Sequence, residues 1–574
     1  MSYFLKKTTP ASKGLYLQIY ESFYVPGKGK RNRSHMSLGY ACDLVKKGIQ
    51  DPVAYGQQLV DELNSSLDYM KSKTIAENPP TYNIGYFLIK AMFDKLDMEK
   101  DLSIMTSKRN VKYTMDSFIR TLVYAQVVSP GSKHKFHEDV ISTLYNCPSF
   151  SYDQILDGVN YIGQDYPKYI ELLNKHINDL WPRETNKVYF DCTNYYFEID
   201  QQTELVRKGP GKDRKHEPIV AQALMLDSNQ IPISMCMFPG NQSEKPYLRS
   251  QVEEMKLRCG ISGKVIQVAD KGLNCAENIY AATKESHDGY IFSKSVHGHN
   301  LSEQEKAWVV KEENSAWYEV RDGKNNLKYK YKEDVGDYWY RFNHDSYDGD
   351  EIKFKVREKR IVTYNPALAK KKKEEIRREF DKVASKLPTI KASTRDELGD
   401  AAKYVRYSAL DKDGKLVRIK PELNEDKYNE DLKYAGYNLL VTSETEKSAE
   451  EIYDIYHNLW RIEESFRILK SNLESRPVYV QKPETIYGHF TICYIALTLL
   501  RLLEFKTFNR ELCTNEITDY IRQFEVTKTP NETYINNTTT KTVYDKIIDT
   551  LGISSLGRLY LGAKDLKAIL ETEV

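Results

Sequence analysis

The 574-residue chain carries 84 Lys and Arg against 82 Asp and Glu, a formal net charge of +2 at pH 7. Bulk charge therefore does not announce a nucleic-acid partner, and any DNA surface has to come from local clustering. The 8 cysteines are scattered without a CxxC pair, which argues against a zinc site or a disulfide framework and for reduced thiols in a cytosolic protein. The length suffices for two or more domains around a large core. No signal peptide opens the chain, and the longest apolar run, 490–500, is too short for a bilayer and ends at Arg501. It reads as a buried helix.

Residues 1–64 are expected to form an N-terminal β-hairpin and a helix. Residues 16–24 alternate as a strand does, and 36–40 read as its return strand. Between them lies a basic turn, 26–33. Its Lys28, Lys30, Arg31 and Arg33 are candidates to grip a DNA backbone, against the plainer reading of a solvated loop. A helix from about 51 to 64 starts at Pro52. Residues 65–180 read as helical, with segments at 85–93, 115–126, 153–162 and 166–180. No helix-turn-helix is sharp enough to name a recognition helix.

A core is expected over 181–284 and 431–510. Residues 187–191 and 264–270 read as short buried strands, each closed by an aspartate, Asp191 and Asp270. An Asp at a strand end faces the mouth of an α/β sheet, where sites usually form, although Asp also caps loops very often. Between the two strands come a basic loop at 207–216, a hairpin of 219–226 and 231–238, and a helix near 245–258. Lys208, Lys212, Arg214 and Lys215 in that loop are candidate phosphate contacts, or a solvated connection. Strand, hairpin, helix and strand is the order of an RNase H-like domain.

Glu463 stands 193 positions after Asp270, too far for a plain connection, so an insertion is expected over 285–430. Within it, 308–310, 316–320, 329–331, 337–342 and 352–356 read as β-strands, and 367–384, with four consecutive lysines at 370–373, reads as a long charged helix. Trp308, Trp317 and Trp339 are candidates to stack on a flipped base; packing inside the insertion is the commoner use of such residues. A strand at 437–442 returns to the core, and 511–574 reads as a helical C-terminal region with a polar break at 531–541.

The chemistry gathers on 456–470, which reads as one helix. Ile455, Leu459, Ile462, Phe466 and Leu469 recur at helical spacing and form an apolar stripe. Tyr456, Trp460, Glu463, Arg467 and Lys470 recur one residue further on, about 100° around the axis. A surface helix is the plain reading, since the i,i+4 pair of Glu463 and Arg467 stabilises by only about 0.2–0.5 kcal/mol. Asp191, Asp270 and Glu463 together have a stronger use. Three converging carboxylates repel one another unless a cation sits among them. Two Mg²⁺ ions need such hard oxygen ligands and hold both the attacking and the leaving oxygen of an in-line phosphoryl transfer. Arg467 and Lys470 would then meet phosphates.

At these residues the chain resembles the DDE transposases of bacterial insertion sequences, in the insertion-sequence 4 superfamily with its Tyr-Arg-Glu-Lys signature. Tyr456, Glu463 and Lys470 fall in register; the Arg position is Leu459, with Arg461 two residues on. The likeness is greatest to the insertion-sequence 1634 type. It extends to Tyr189-Phe190-Asp191-Cys192-Thr193, Phe238-Pro239-Gly240-Asn241, Val268-Ala269-Asp270-Lys271-Gly272 and Arg476-Pro477-Val478-Tyr479, over most of the chain. The resemblance implies an α/β fold: an RNase H-like catalytic core interrupted by a β-rich insertion and preceded by a helical region, 65–180, that binds DNA ends. It implies that Asp191, Asp270 and Glu463 hold two Mg²⁺ (or Mn²⁺) ions and cut the ends of an element, in some relatives through a hairpin, before joining them to target DNA. Tyr456, Arg461, Arg467 and Lys470 are expected to hold DNA beside the metals, with Glu464 a decoy for the catalytic glutamate. A homodimer on double-stranded DNA and a cytoplasmic, nucleoid-associated location follow from the same resemblance. A DNA-binding protein that keeps the fold without the chemistry, and a nuclease without strand joining, stay open as alternatives.

Overall fold

The computed structural model describes residues 2–10, 14–25, 29–72, 80–109, 111–198, 201–209, 217–297, 301–311, 317–343, 351–387, 392–410, 416–529, 533–539 and 542–574. They form two compact units: Met1–Gly85 together with Gln523–Glu571, and Tyr86–Arg522 together with Thr572–Val574.

The larger unit is built on a nine-stranded sheet. Its strands are β1 (Lys187–Tyr196), β2 (Ile219–Leu226), β3 (Pro232–Pro239), β4 (Ile266–Ala269), β5 (Gly289–Lys294), β6 (Tyr318–Arg321), β7 (Leu327–Asn343), β8 (Glu351–Tyr364) and β9 (Tyr437–Thr442). They lie in the order β6-β7-β8-β9-β5-β4-β1-β2-β3. β4 runs parallel to β1 and β5, and the other neighbours are antiparallel. β2 and β4 are buried along their whole lengths, as near-continuous apolar runs, each with one buried glutamine (Gln222, Gln267), should be in a sheet covered on both faces.

Four helices position the site: α1 (Lys245–Arg258), α2 (Ala449–His457), α3 (Trp460–Arg467) and α4 (Pro483–Leu502). The stretch 483–507 is long and apolar enough to cross a membrane, but 94% of its most apolar window is buried inside the protein. It is crossed by the helix Tyr152–Gln164 at a point where glycine is required on both sides. A Cβ at Gly488 would stand 1.9 Å from the Val159 carbonyl oxygen, and one at Gly163 would stand 1.6 Å from that of Glu484. The two backbones touch, and no larger residue fits between them.

The insertion differs from the sequence expectation. β5 belongs to the core although it falls within 285–430. β6, β7 and β8 extend the core sheet, with β8 paired to β9 from Lys359↔Thr442 to Tyr364↔Tyr437. Trp308 lies on a helix, Glu303–Val310, and not on a strand. Ser302 caps that helix in a capping box with Glu305, a start signal that outweighs the β-branched Val309-Val310. What stands apart is 366–435, which has a small core of its own around Ile376, Val383, Leu398, Tyr404 and Val405.

The smaller unit joins the two ends of the chain. Ser2–Thr8, Tyr16–Val25 and Gly29–Tyr40 form a three-stranded antiparallel meander, where the sequence suggests only a hairpin. Lys30, Arg31 and Arg33 lie in the third strand and not in a turn, because pairing already begins at Val25↔Gly29. Lys28 is outside the described residues. The helix after Pro52 runs Pro52–Ser72, beyond the expected end at 64. Thr81–Asn83 pairs with Glu525–Lys528, which continues to Tyr534–Asn536 and Tyr560–Leu561. The region 511–574 is thus not a helical tail: from Gln523 it is half of a mixed unit, and a strand falls inside the expected polar break.

Candidate functional site

β1 and β4 are parallel neighbours with Phe190 opposite Ala269. Both of those residues face the hydrophobic core, so the next residue on each strand, Asp191 and Asp270, turns to the other face, side by side. Asp191 is half-buried, and its Oδ1 accepts the Cys192 backbone N–H at 2.7 Å. Asp270 Oδ1 accepts from the Ser293 hydroxyl at 3.0 Å and from the Tyr456 hydroxyl at 3.3 Å.

The segment carrying Tyr456 is not one uniform helix. α2 and α3 are joined by a tight turn at Asn458 and Leu459, whose backbones stay right-handed helical, and a wider π-type turn, Ile468–Asn472, follows. The stripe of Ile455, Leu459, Ile462, Phe466 and Leu469 is buried throughout. The polar stripe is fastened to the strands at two places. Tyr456 reaches Asp270. Lys470 Nζ donates to Thr193 Oγ1 at 2.6 Å and lies 5.4 Å from the Tyr195 ring. Tyr189, Asp191, Thr193 and Tyr195 alternate onto one face of β1, so Lys470 meets the face that carries Asp191.

Glu463 itself is exposed and, among the described residues, has no hydrogen-bond or ion-pair partner. Its charge is nevertheless felt. Burial raises the Tyr456 phenol well above its usual range; the Ser293 hydroxyl opposes this, and the carboxylates of Asp270 and Glu463 add to it. Tyr456 stays protonated and donates.

Glu464, the neighbouring carboxylate, has the opposite surroundings. Its Oε2 accepts from Arg461 at 2.9 Å and from Arg501 at 2.8 Å. Arg501 is fully buried and also binds Glu504 at 2.8 Å. Burial pushes the Glu464 carboxyl up, but Arg501 and Arg461 outweigh it and hold it below the usual range. Arg461, a candidate DNA contact, is thus engaged with Glu464 and lies 3.9 Å over the Trp460 ring. Arg467 is mostly exposed, 3.6 Å from Glu464 Oε1.

The other candidates are scattered. Lys208 is exposed; Lys212, Arg214 and Lys215 lie outside the described residues. Arg33 is paired with Glu21 at 2.7 Å. Trp308 and Trp317 are half-buried against the Lys332 ammonium, at 5.3 and 4.6 Å. Trp339 is 71% exposed, opposite Lys355. His297, Glu430 and Asp431 also bring ligand atoms within 4.8 Å of one another. However, Lys403 and Lys427 already neutralise that cluster, at 2.9 and 3.0 Å from Asp431 and with Lys427 2.7 Å from Glu430. Sequence reasoning missed Ser293, Thr193 and Arg501. Thr193 had a signal, standing two residues after Asp191 and so on its face of the strand; Ser293 and Arg501 had none.

The model of the transposase DDE domain family matches residues 197–499. That is more than half of the chain, and it contains Asp270, Tyr456, Glu463 and Lys470; Asp191 stands just before it. No curated protein matches the chain. The chain belongs to the transposase DDE domain family, and is a transposase by that membership.

Proposed function

We infer that this transposase binds the ends of an insertion sequence as a dimer, cleaves them by metal-dependent phosphoryl transfer and joins them to target DNA, in the cytoplasm at the nucleoid. The observation that carries the reading is the tethering of one helical segment to two neighbouring strands: Tyr456 on Asp270, just past the end of β4, and Lys470 on Thr193, in the middle of β1 rather than at the strand end expected for Asp191, with Glu463 between the two tethers in sequence. The order β3-β2-β1-β4-β5, with β4 parallel to both neighbours, fits an RNase H-like core.

Asp191, Asp270 and Glu463 would hold two Mg²⁺ (or Mn²⁺) ions. The donor set fits them: every ligand is a hard oxygen, Asp270 meets hydroxyls, and Glu463 meets no cation among the described residues. Bound there, the ions supply Lewis acidity to the attacking and leaving oxygens of an in-line transfer. The chain's own residues do the rest. Tyr456 and Ser293 fix the Asp270 carboxylate by donating to it. Lys470, oriented by Thr193, and the exposed Arg467 offer charge-assisted hydrogen bonds to the phosphates beside the scissile bond. Arg461 acts indirectly, by seating α3 through Glu464.

The test is incubation of the full chain with the DNA flanking its coding sequence, with Mg²⁺ or with chelator. The expected result is metal-dependent release of a 3′-hydroxyl at the element end, followed by joined product. Binding without cutting under Mg²⁺ or Mn²⁺ would make it a DNA-binding protein that keeps the fold alone. Cutting without joining would make it a nuclease.

A further inference from the structure

The segment 366–435 leaves the core sheet after β8 and returns to it at β9. Its ends lie together, with the Asn365 backbone N–H donating to the Gly436 carbonyl at 3.1 Å and Tyr364 opposite Tyr437. Its first element is a long helix, Pro366–Lys386, capped by Asn365. Ala369, Ile376 and Val383 bury one side of that helix, and Ile376 and Val383 join the insert's own core. Packing therefore fixes which side faces solvent.

That solvent side is strongly basic. The helix holds eight Lys and Arg against four Asp and Glu, a net +4 in a chain whose total is +2. Lys370, Lys371, Arg377, Arg378 and Lys382 are all exposed. Among the described residues none of the five is paired with a carboxylate; the one carboxylate ion pair between neighbours on this helix is Lys372 with Glu375, at 3.1 Å. Glu374, Glu375, Glu379 and Asp381 stand within a turn of these cations, but the helix has two cations for each carboxylate, so a net positive charge stays on the face. From Lys371 to Lys382 the face runs about 16 Å at 1.5 Å per residue, enough to follow several phosphates of a duplex.

We propose that this face binds the phosphate backbone of the target duplex. The inference rests on the transposase reading, and the choice of target over element end comes from the residue types. The exposed side carries no Asn or Gln, the side chains that read adenine edges in the major groove. Lysine dominates it, and lysine meets phosphate as a point charge without reading sequence. Element ends are recognised by sequence. A surface dominated by lysine suits the partner whose sequence varies.

The experiment compares the full-length wild type with the triple variant Lys371→Ala, Arg378→Ala, Lys382→Ala. Binding of a random-sequence duplex is followed by anisotropy from about 50 to 200 mM salt. End cleavage and strand transfer from pre-cut ends are measured alongside. The variant is expected to bind random duplex on the order of tenfold more weakly, with a log–log salt slope shallower by about three. Its strand transfer should fall while its end cleavage and melting temperature hold. The charge-conserving variant Lys371→Arg, Arg378→Lys, Lys382→Arg should keep the wild-type slope. An unchanged slope in the alanine variant overturns the proposal, as does an equal loss on element-end duplex and end cleavage. A wild type that never cuts ends, with a slope that still falls in the variant, would sink the transposase reading and leave this surface standing.

Discussion

On one side of α3, Glu464, Arg461, Arg501 and Glu504 face one another and every carboxylate meets a guanidinium. On the other side, Asp270 meets hydroxyls and Glu463 meets no cation among the described residues. Glu463 and Glu464 are adjacent in sequence and chemically identical, yet their surroundings are opposite. A buried charge that is compensated holds structure together, and losing one partner leaves the other unpaired at high cost. A carboxylate that meets no cation is the kind of hard oxygen ligand that a divalent ion from outside would take.

That contrast can be broken in order of expected effect. Asp270→Asn should lower end cleavage on the order of 10³-fold or more, about 4 kcal/mol of transition-state stabilisation, with DNA binding and melting temperature retained. A kinetic assay with Mg²⁺ at saturating DNA checks this. Arg501→Met should do the reverse. Buried Glu504 would lose its guanidinium and Glu464 one of its two close ones, and urea denaturation should show a loss of about 3–5 kcal/mol.

A third effect concerns His489, buried on α4, where Lys133 Nζ donates to its Nδ1 at 3.3 Å and its Nε2 meets the Ser475 carbonyl at 3.2 Å. Burial and the Lys133 charge push the imidazole down to about 3. The folded value lies below the unfolded one, so stability is complete above about pH 6.5 and is lost as pH falls towards 3. His489→Gln should therefore lose less stability between pH 7 and pH 4, by on the order of 3 kcal/mol, as read from urea midpoints at the two pH values. The smallest effect is expected at Lys470. Lys470→Ala removes one phosphate contact and the Thr193 tether, and should slow end cleavage roughly 10- to 100-fold, about 1.5–3 kcal/mol.

The legible parts of this molecule are those specified by short-range pattern. The helix Lys245–Arg258 and the strand Tyr437–Thr442 fall where periodicity puts them. So does the buried stripe from Ile455 to Leu469, because one turn of helix repeats within four residues. What was not legible depends on distant partners. β8 joins the core sheet through Lys359↔Thr442, and Thr81–Asn83 pairs with residues 525–527; no window of sequence contains either pair. The Trp308 segment was misread because two valines look like a strand when the Ser302–Glu305 capping box is overlooked. At the site, Asp191, Asp270 and Glu463 could be picked out as residues. That Glu464 is taken up by ion pairs needs Arg501, 37 positions away.

The most direct measurement is end cleavage under Mg²⁺ by Glu463→Gln and Glu464→Gln side by side, each with its DNA binding and melting temperature. The account predicts that Glu463→Gln binds DNA, melts like the wild type and releases no 3′-hydroxyl, whereas Glu464→Gln still cuts but melts earlier. A Glu463→Gln variant that cuts, beside a folded Glu464→Gln variant that does not, would contradict it.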